Sequence, residues 1–191
     1  MSKGKLIVIS APSGTGKSTI IAELMKQEDL KLEFSISATT RPPRGTEQHG
    51  VEYYFLTLED FRQRIEKDEF AEYHEVYEGR YYGTLKSEIK RITNKGRNVV
   101  LDLDVMGGID VKKIYGKKAL AVFIKPPSIE TLRQRLLSRG TDSIEDINNR
   151  VNKAEYELSF ADQYDKCVVN DVLADAVAQT KEIITDFIKG K

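Results

Sequence analysis

The feature that most constrains this chain is a short apolar run that ends abruptly in a glycine-rich loop. Residues 6–9 are all apolar and are followed at once by the segment A-P-S-G-T-G-K-S at 11–18. A run of this length bounded by turn residues predicts a buried strand of a parallel sheet. Apolar residues at helical spacing continue from Lys17 onward. Strand, turn and helix in this order predict the first unit of an α/β fold.

The loop matches the phosphate-binding pattern G-x-x-x-x-G-K-[ST] except at its first position, where Ala11 stands. Gly14 and Gly16 can turn successive backbone N–H groups toward one anion, at which the next helix directs its positive end. Lys17 would contribute charge to nucleotide phosphates, and Ser18 a hydroxyl to Mg²⁺. Ala11 is compatible with this loop if its φ stays negative. The alternative is a chance loop rich in glycine and serine.

The rest of the chain continues the alternation of strands and helices. Three later apolar segments each precede a helical stretch: residues 98–104, 119–124 and 166–169. This order predicts a mostly parallel sheet with helices on both faces. Between about residues 33 and 90 tyrosines cluster, and Glu78-Gly79 is typical of a hairpin turn. We expect a small, largely antiparallel subdomain inserted into the parallel core.

Composition limits the classes of protein that this chain can belong to. Its 191 residues suit one domain with an insertion, and 30 basic against 30 acidic residues argue against a dedicated nucleic-acid binder. The longest apolar runs fall far short of the ~18 residues that span a membrane. Cys167 is the single cysteine and there are two histidines, so neither an internal disulfide nor a zinc site is expected. We expect a cytoplasmic globular protein whose oligomeric state the sequence leaves open.

Two carboxylates mark the end of the predicted strand at 98–104. Asp102 and Asp104 are two residues apart, so on a strand both point to one side, near the edge where ligands of open α/β sheets bind. One could act near the water shell of a metal ion and the other near a second substrate. The alternative is a pair of solvated carboxylates.

Arginines form two further groups. Arg41 and Arg44 are held three apart by two prolines, in a stiff loop that suits bidentate binding of a phosphate. A break at Gly140 before the predicted helix cap Ser143 gives two helical arms with cationic residues on both: Arg133, Arg135, Arg139 and Arg150. The alternatives are a solvated loop and a solvated helix face paired with acidic side chains.

These motifs, in this order, make the chain resemble a guanylate kinase from residue 6 to about residue 171. Besides 12–18, the resemblance rests on segments S-A-T-T-R-P-P-R-G at 37–45, Glu72, Y-Y-G-T at 81–84, L-D-L-D at 101–104 and V-V-N-D at 168–171. The departures are Ala11 and Thr84, where threonine replaces serine but keeps the hydroxyl. The resemblance implies a P-loop NTPase-type α/β core, a parallel sheet flanked by helices, with an inserted mixed α+β GMP-binding subdomain and a helical lid. The implied boundaries are 1–32, 91–125 and 151–191 for the core, 33–90 for the subdomain and 126–150 for the lid.

The implied reaction is Mg-dependent transfer of the ATP γ-phosphoryl group to GMP, in purine nucleotide metabolism; use of dGMP stays open. The GMP phosphate would contact Arg41, Arg44, Tyr53 and Tyr82, and the base would contact Ser37, Glu72, Thr84 and Asp104. ATP would contact Ala11, Pro12, Ser13, Gly14, Thr15, Gly16, Lys17, Ser18, Thr19 and Asn170. Catalysis would involve Lys17, Arg41, Arg135, Arg139 and Arg150. Mg²⁺ would contact Ser18 and, through water, Asp102.

The assignment of Glu72 has a physical reason. Guanine presents N1–H and its 2-amino group side by side, and one carboxylate can accept from both, whereas adenine offers neither pattern. A phosphate monoester has its second pKa near ~6, so the acceptor oxygen needs no general base. His49 and His74 are therefore interpreted as bystanders. Three alternatives are a P-loop kinase for another monophosphate, a non-catalytic module of the same fold that binds peptides, and a nucleic-acid ATPase.

Overall fold

A computed structural model describes residues 3–138, 140 and 143–190 of the chain. In these residues the strands are β1 (Leu6–Ser10), β2 (Leu32–Phe34), β3 (Ser37–Thr39), β4 (Tyr53–Phe55), β5 (Phe70–Tyr77), β6 (Arg80–Leu85), β7 (Asn98–Asp102), β8 (Ala119–Lys125) and β9 (Lys166–Val169). The helices are α1 (Lys17–Met25), α2 (Leu58–Glu66), α3 (Lys86–Asn94), α4 (Val105–Tyr115), α5 (Ile129–Ser138), α6 (Ile144–Leu158) and α7 (Leu173–Lys189). Of the helices described, none is long and apolar enough to cross a membrane.

The larger sheet has the order β2-β7-β1-β8-β9, and every pairing in it is parallel. The predicted parallel sheet is thus confirmed, with β1 at its centre. Leu6 and Val8 belong to the core cluster under α3 and α4, and Ile7 and Ile9 belong to the cluster under α1 and α7. Burial on both faces explains why β1 is apolar at successive positions instead of alternating.

The strand predicted over 98–104 is shorter than expected. β7 ends at Asp102, and Asp104 is instead the N-cap of α4, with its carboxylate accepting a hydrogen bond from the Gly107 N–H at 2.7 Å. Aspartate competes well for this position because its side chain satisfies an N–H at the helix start. The prediction that both carboxylates lie on one face of a strand is therefore wrong, although both remain at the same edge of the sheet.

The inserted segment forms a second sheet of order β4-β3-β6-β5. The pairing of β3 with β4 is parallel and the other two are antiparallel, so this sheet is mixed. The predicted hairpin at Glu78-Gly79 is confirmed between β5 and β6, with Gly79 at φ 71°. This sheet has its own small core, in which Phe61 of α2 stacks on Phe70 with ring centroids 4.3 Å apart.

Helices α5 and α6 pack on each other through a separate apolar cluster: Leu132, Leu136, Ile147, Val151 and Ala154. The predicted cap at Ser143 is confirmed, since its hydroxyl accepts from the Asp146 N–H at 3.1 Å. Helix α5 also touches the glycine-rich loop, because a Cβ on Gly14 would lie 2.8 Å from a methyl carbon of Leu136. Arg139 lies outside the described residues, as do 141 and 142.

The small core of the second sheet gives a stability prediction. Replacing Phe61, which is fully buried, by alanine should lower the free energy of unfolding by about 3–5 kcal/mol, through lost burial and a cavity. Urea denaturation followed by circular dichroism measures the change. Tyr77→Ala is the control, because Tyr77 is 68% exposed in the same sheet and should change stability by less than about 0.5 kcal/mol. Equal losses in the two variants would contradict the assigned core.

Candidate active site at the carboxyl edge of the large sheet

The glycine-rich loop joins the carboxyl end of β1 to α1, at the edge where α/β sheets bind ligands. Gly14 and Gly16 have φ values of 88° and 96°, a backbone conformation that other residues rarely adopt. Ala11 is not among the described residues with positive φ, so the condition on its tolerance is met. Gly16 caps α1 without a side-chain hydrogen bond, and the first turn of α1 has no acidic residue. The start of this helix is therefore open to an anion.

Lys17 links the glycine-rich loop to the end of β7, which pairs with β1 in the sheet. Its ammonium lies 2.6 Å from a carboxylate oxygen of Asp102 and donates to the carbonyl of Leu103 at 2.9 Å. Both charged side chains are partly exposed, so the ion pair faces the edge of the sheet instead of the core. Asp102 therefore neutralises Lys17 and holds its ammonium beside the loop.

Asn170 and Arg135 close the other side of the loop. The buried amide of Asn170 donates to the carbonyl of Thr15 at 2.7 Å, and a Cβ on Gly16 would lie 2.5 Å from that amide nitrogen. Arg135 of α5 donates to the carbonyls of Asn170 and Asp171 at 2.8 and 3.2 Å. These contacts surround an open cavity of about 340 Å³ beside the loop.

Two residues of α6 that were not predicted from the sequence line a cavity beside the glycine-rich loop. Lys153 and Glu157 line a cavity of about 400 Å³ together with residues 11–14 and 16–19 and with Asp104. Burial raises the pKa of Glu157. Lys153 follows Arg150 by three residues, so it shares the helix face of an arginine already singled out. That spacing was the signal that could have found it.

The carboxylate of Glu72 lies at the base of a cavity of about 190 Å³ between the two sheets. Glu72 is 8% exposed, and its Oε1 accepts from the Thr84 hydroxyl at 2.6 Å. Burial raises the pKa of Glu72, and the Thr84 hydrogen bond opposes that rise. A Cβ on Gly107 would lie 3.2 Å both from Glu72 Oε2 and from Asp104 Oδ1. Glycine at 107 thus leaves room for two carboxylates to approach the start of α4.

Arg41 is clamped by a residue that the sequence reading did not single out. Its two terminal nitrogens donate to the two carboxylate oxygens of Glu47 at 2.8 and 3.0 Å, and Arg41 is only 5% exposed. The Glu47 hydrogen bond raises the pKa of Arg41, and the same bond lowers the pKa of Glu47. Arg41 also lies 5.2 Å from the ring centroid of Tyr53, whose ring is 6.0 Å from that of Tyr82. The guanidinium is therefore held rigidly beside two phenol groups.

Comparisons with known proteins agree with this arrangement. A family model described as guanylate kinase matches residues 3–187. This chain belongs to the guanylate kinase family. It is 61% identical over 185 residues to the guanylate kinase of Bacteroides thetaiotaomicron, covering 97% of this chain and 90% of that protein. It is 58% identical over 184 residues to the guanylate kinase of Porphyromonas gingivalis, covering 96% and 98%.

A solved structure supports the same conclusion. The crystal structure of guanylate kinase from Anaplasma phagocytophilum matches with a TM-score of 0.75 at 27% identity, covering 98% of this chain and 88% of that chain. The chain is thus an enzyme, a nucleotide kinase that phosphorylates GMP to GDP with ATP. The α/β architecture implied by the resemblance is confirmed.

The structure brings most of the candidate residues of this guanylate kinase together. Five of the candidates for GMP line the cavity at Glu72: Ser37, Tyr53, Glu72, Tyr82 and Asp104. Thr84 joins them through its bond to Glu72, and Arg41 through its contact with the Tyr53 ring. Arg44 is exposed on the same loop as Arg41; its backbone N–H donates to the Glu47 carboxylate at 2.8 Å, and its carbonyl accepts from the Glu47 N–H at 3.0 Å. Arg150 lies on α6, and Arg139 lies outside the described residues.

The clamp on Arg41 gives a prediction for substrate binding. Glu47→Gln removes the charge that orients a nearly buried guanidinium, so we expect the KM for GMP to rise several-fold while the KM for ATP changes little. Steady-state kinetics with each nucleotide varied in turn measures both constants. Glu52→Gln is the matched control, because Glu52 belongs to the same loop and accepts from the Gln48 N–H instead of from Arg41. An unchanged KM for GMP in Glu47→Gln would contradict the positioning role of Glu47.

Proposed function

We propose that the enzyme transfers the γ-phosphoryl group of Mg-bound ATP directly to GMP at the carboxyl edge of the large sheet. One observation carries the geometry of this proposal: Asp104 lines both the cavity at Glu72 and the cavity at the glycine-rich loop. The acceptor and the donor would therefore lie in adjoining spaces, as a direct transfer between them requires.

Guanine would be read by hydrogen bonds at the floor of its cavity. Glu72 would accept from N1–H and from the 2-amino group, and its Oε1 is already oriented by Thr84. The hydroxyl of Ser37 could donate to guanine O6, because the single proton of the Thr84 hydroxyl is already donated to Glu72. AMP would leave Glu72 buried and facing a lone pair, which costs about 1–3 kcal/mol or more for a charged group. Asp104 would complete the base-reading set.

The GMP phosphate would lie where the phenolic side of this cavity adjoins Arg41. Arg41 lies against the ring of Tyr53, the Tyr53 ring contacts that of Tyr82, and Arg44 follows Arg41 on the same loop. The acceptor oxygen is already anionic at neutral pH because a phosphate monoester has its second pKa near ~6. The task of these residues is then to hold and align an anion against a second anion.

ATP would bind with its phosphates in the glycine-rich loop, residues 11–19, and with its base side toward Asn170. Lys17 would reach the phosphates from its position beside Asp102. Arg135 of α5 lies beside the same region, and we assign Arg150 on α6 and Arg139 to this group from the sequence alone. A guanidinium on the transferring group can contribute about 10³–10⁵ in rate.

The residues at the loop fit a magnesium ion that arrives with the nucleotide. No cluster of three or more metal-ligating side chains occurs in the part of the chain described, so the protein alone offers few ligands. Ser18 is exposed at the start of α1 and lines the loop cavity with Asp104. This sparse set suits Mg²⁺, which keeps several waters and takes phosphate oxygens. We assign the hydroxyl of Ser18 to the ion and Asp102 to its water shell; when bound, the ion would neutralise charge on the phosphates.

We propose that the chain has three working parts: one holds the two apolar clusters of the large sheet, and each of the others has an apolar cluster of its own. Residues 1–32, 91–125 and 151–191 would form the core, 33–90 the GMP subdomain and 126–150 the lid. The separate cores of the second sheet and of the α5–α6 pair support this division. Since α6 continues to Leu158, the proposed lid boundary falls within a helix. GMP and ATP are intracellular nucleotides, so we propose a cytoplasmic role in purine nucleotide metabolism.

The activity is tested by ADP production from ATP and Mg²⁺ with GMP, dGMP, AMP, UMP and TMP offered separately. We expect turnover with GMP that needs Mg²⁺ and that is lost in Lys17→Ala, because the loop then lacks its mobile charge. Turnover with another monophosphate would overturn the guanine-reading assignment. A folded sample that binds GMP without any turnover would favour a non-catalytic module.

Base selectivity provides a sharper test of Glu72. Glu72→Gln should lower the ratio of kcat/KM for GMP to that for AMP by about tenfold or more, because an amide accepts from only one of the two guanine donors. Glu75→Gln is the matched control, since Glu75 is exposed on the same strand and its carboxylate accepts from the Gly79 N–H of the hairpin turn. An unchanged ratio in Glu72→Gln would exclude this base-reading role.

A further inference from the structure

Among the side chains that line the cavity assigned to guanine and can carry a charge near neutral pH, all but one are carboxylates. Glu72, Asp102 and Asp104 line it, together with Ser37, Tyr53 and Tyr82, and no lysine or arginine is among its described lining residues. His74 also lines it and is the one described lining residue that can carry a positive charge. The sequence reading treated His74 as a bystander. Its position calls for a different interpretation.

His74 lies between two carboxylates that belong to different parts of the molecule. It follows Glu72 by two residues on β5, so both side chains point to the same face of the strand. Its Nε2 is 4.0 Å from Glu72 Oε2 and 3.5 Å from Oδ2 of Asp110 on α4. That nitrogen is buried and has no hydrogen-bond partner among the described residues. The ring thus lies between β5 of the second sheet and α4 of the large-sheet core, and its Nε2 has no hydrogen bond to a described residue.

The base-reading role requires Glu72 to stay ionised. A protonated carboxyl would place an O–H donor against the N–H donors of guanine. Burial raises the pKa of Glu72, and the charge of Asp104 adds to that rise, so protonation is favoured more than for an exposed glutamate. A positive charge on His74 acts in the opposite direction. A carboxylate loses its charge as pH falls, so a positive charge beside Glu72 matters most in acidic conditions.

We propose that His74 is a positioning residue for Glu72: its imidazolium, held between Glu72 and Asp110, keeps the guanine-reading carboxylate ionised and oriented in mildly acidic conditions. The inference rests on the proposed base-reading function of Glu72. The other titratable groups that surround the ring are Tyr82, its cross-strand partner on β6, Tyr53 on β4, Asp102 on β7 and Asp104 at the start of α4. Lys113 lies 3.9 Å from Asp110 on the solvent side.

The test is the pH profile of kcat/KM for GMP in the wild-type enzyme, His74→Ala and His74→Gln. Without the imidazolium the acid limb should move to higher pH, so that at about pH 5.5 kcat/KM for GMP falls by roughly three- to tenfold, one pH unit corresponding to tenfold. At about pH 8 the variants should lie within roughly twofold of wild type, because Glu72 is ionised without help. The KM for ATP should stay the same throughout.

His74→Gln separates charge from packing. Glutamine keeps a hydrogen-bond donor but no charge, so it should shift the acid limb as alanine does; restoration of the wild-type limb by glutamine would overturn the proposal. His49→Ala is the matched control, since the only other histidine accepts from the Phe55 N–H and lines no part of this cavity. Melting temperatures at each pH establish that the variants are folded.

Two results distinguish the failure of this inference from the failure of the proposed function. If Glu72→Gln lowers the preference for GMP but the acid limbs of wild type and His74→Ala coincide, the role of His74 is wrong and the base-reading role stands. If Glu72→Gln leaves the preference unchanged, the base-reading role itself is wrong, and the inference about His74 is wrong with it.

Discussion

The structure depends on a loop that leaves its backbone N–H groups available for an anion. Gly14 and Gly16 adopt positive φ values, and α1 starts without a side-chain cap. Such a loop is stable only if its surroundings fix it from outside. The Asn170 amide bonds the Thr15 carbonyl, Leu136 packs over Gly14, and Lys17 pairs with Asp102. Two of these contacts depend on where strands end: Asp102 is the last residue of β7, and Asn170 directly follows β9.

In the part of the site proposed for GMP, two acidic side chains lie close to each other. Gly107 leaves space for Glu72 and Asp104 near the start of α4, and Thr84 donates to Glu72 from the neighbouring strand. A second carboxylate, Glu47, fixes Arg41 at the opposite end of the same region. One end of the candidate site therefore carries hydrogen-bond acceptors, and the other presents cations and phenols. Guanosine monophosphate is complementary to this arrangement, since its base has hydrogen-bond donors and its phosphate has the negative charge.

Much of the fold could be predicted from local sequence. β1, the hairpin at Glu78-Gly79 and the cap at Ser143 each depend on residues that are close in the chain, and each is confirmed. The parallel sheet was predicted from the alternation of strands and helices and is also confirmed. The position of Asp104 was predicted wrongly because strand alternation and helix capping both fit the same residue, and only the backbone decides between them. Glu47 was missed for another reason: its role depends on contacts formed after folding, and an isolated acidic residue in a loop gives no pattern. Lys153 was missed although its spacing from Arg150 indicates a shared helix face. The position of His74 between two carboxylates was not predicted, because one of them, Asp110, is 36 residues away on α4.

Two cations of the site have carboxylate partners within the protein, Lys17 with Asp102 and Arg41 with Glu47. Nucleotide phosphates that bind beside these cations would meet a cation whose charge is already balanced by a carboxylate, instead of a bare charge. The electrostatic gain on binding would then be smaller than two bare cations would give, and the positions of the cations would be fixed before the phosphates arrive. Affinity would depend less on ionic strength than the number of cations suggests.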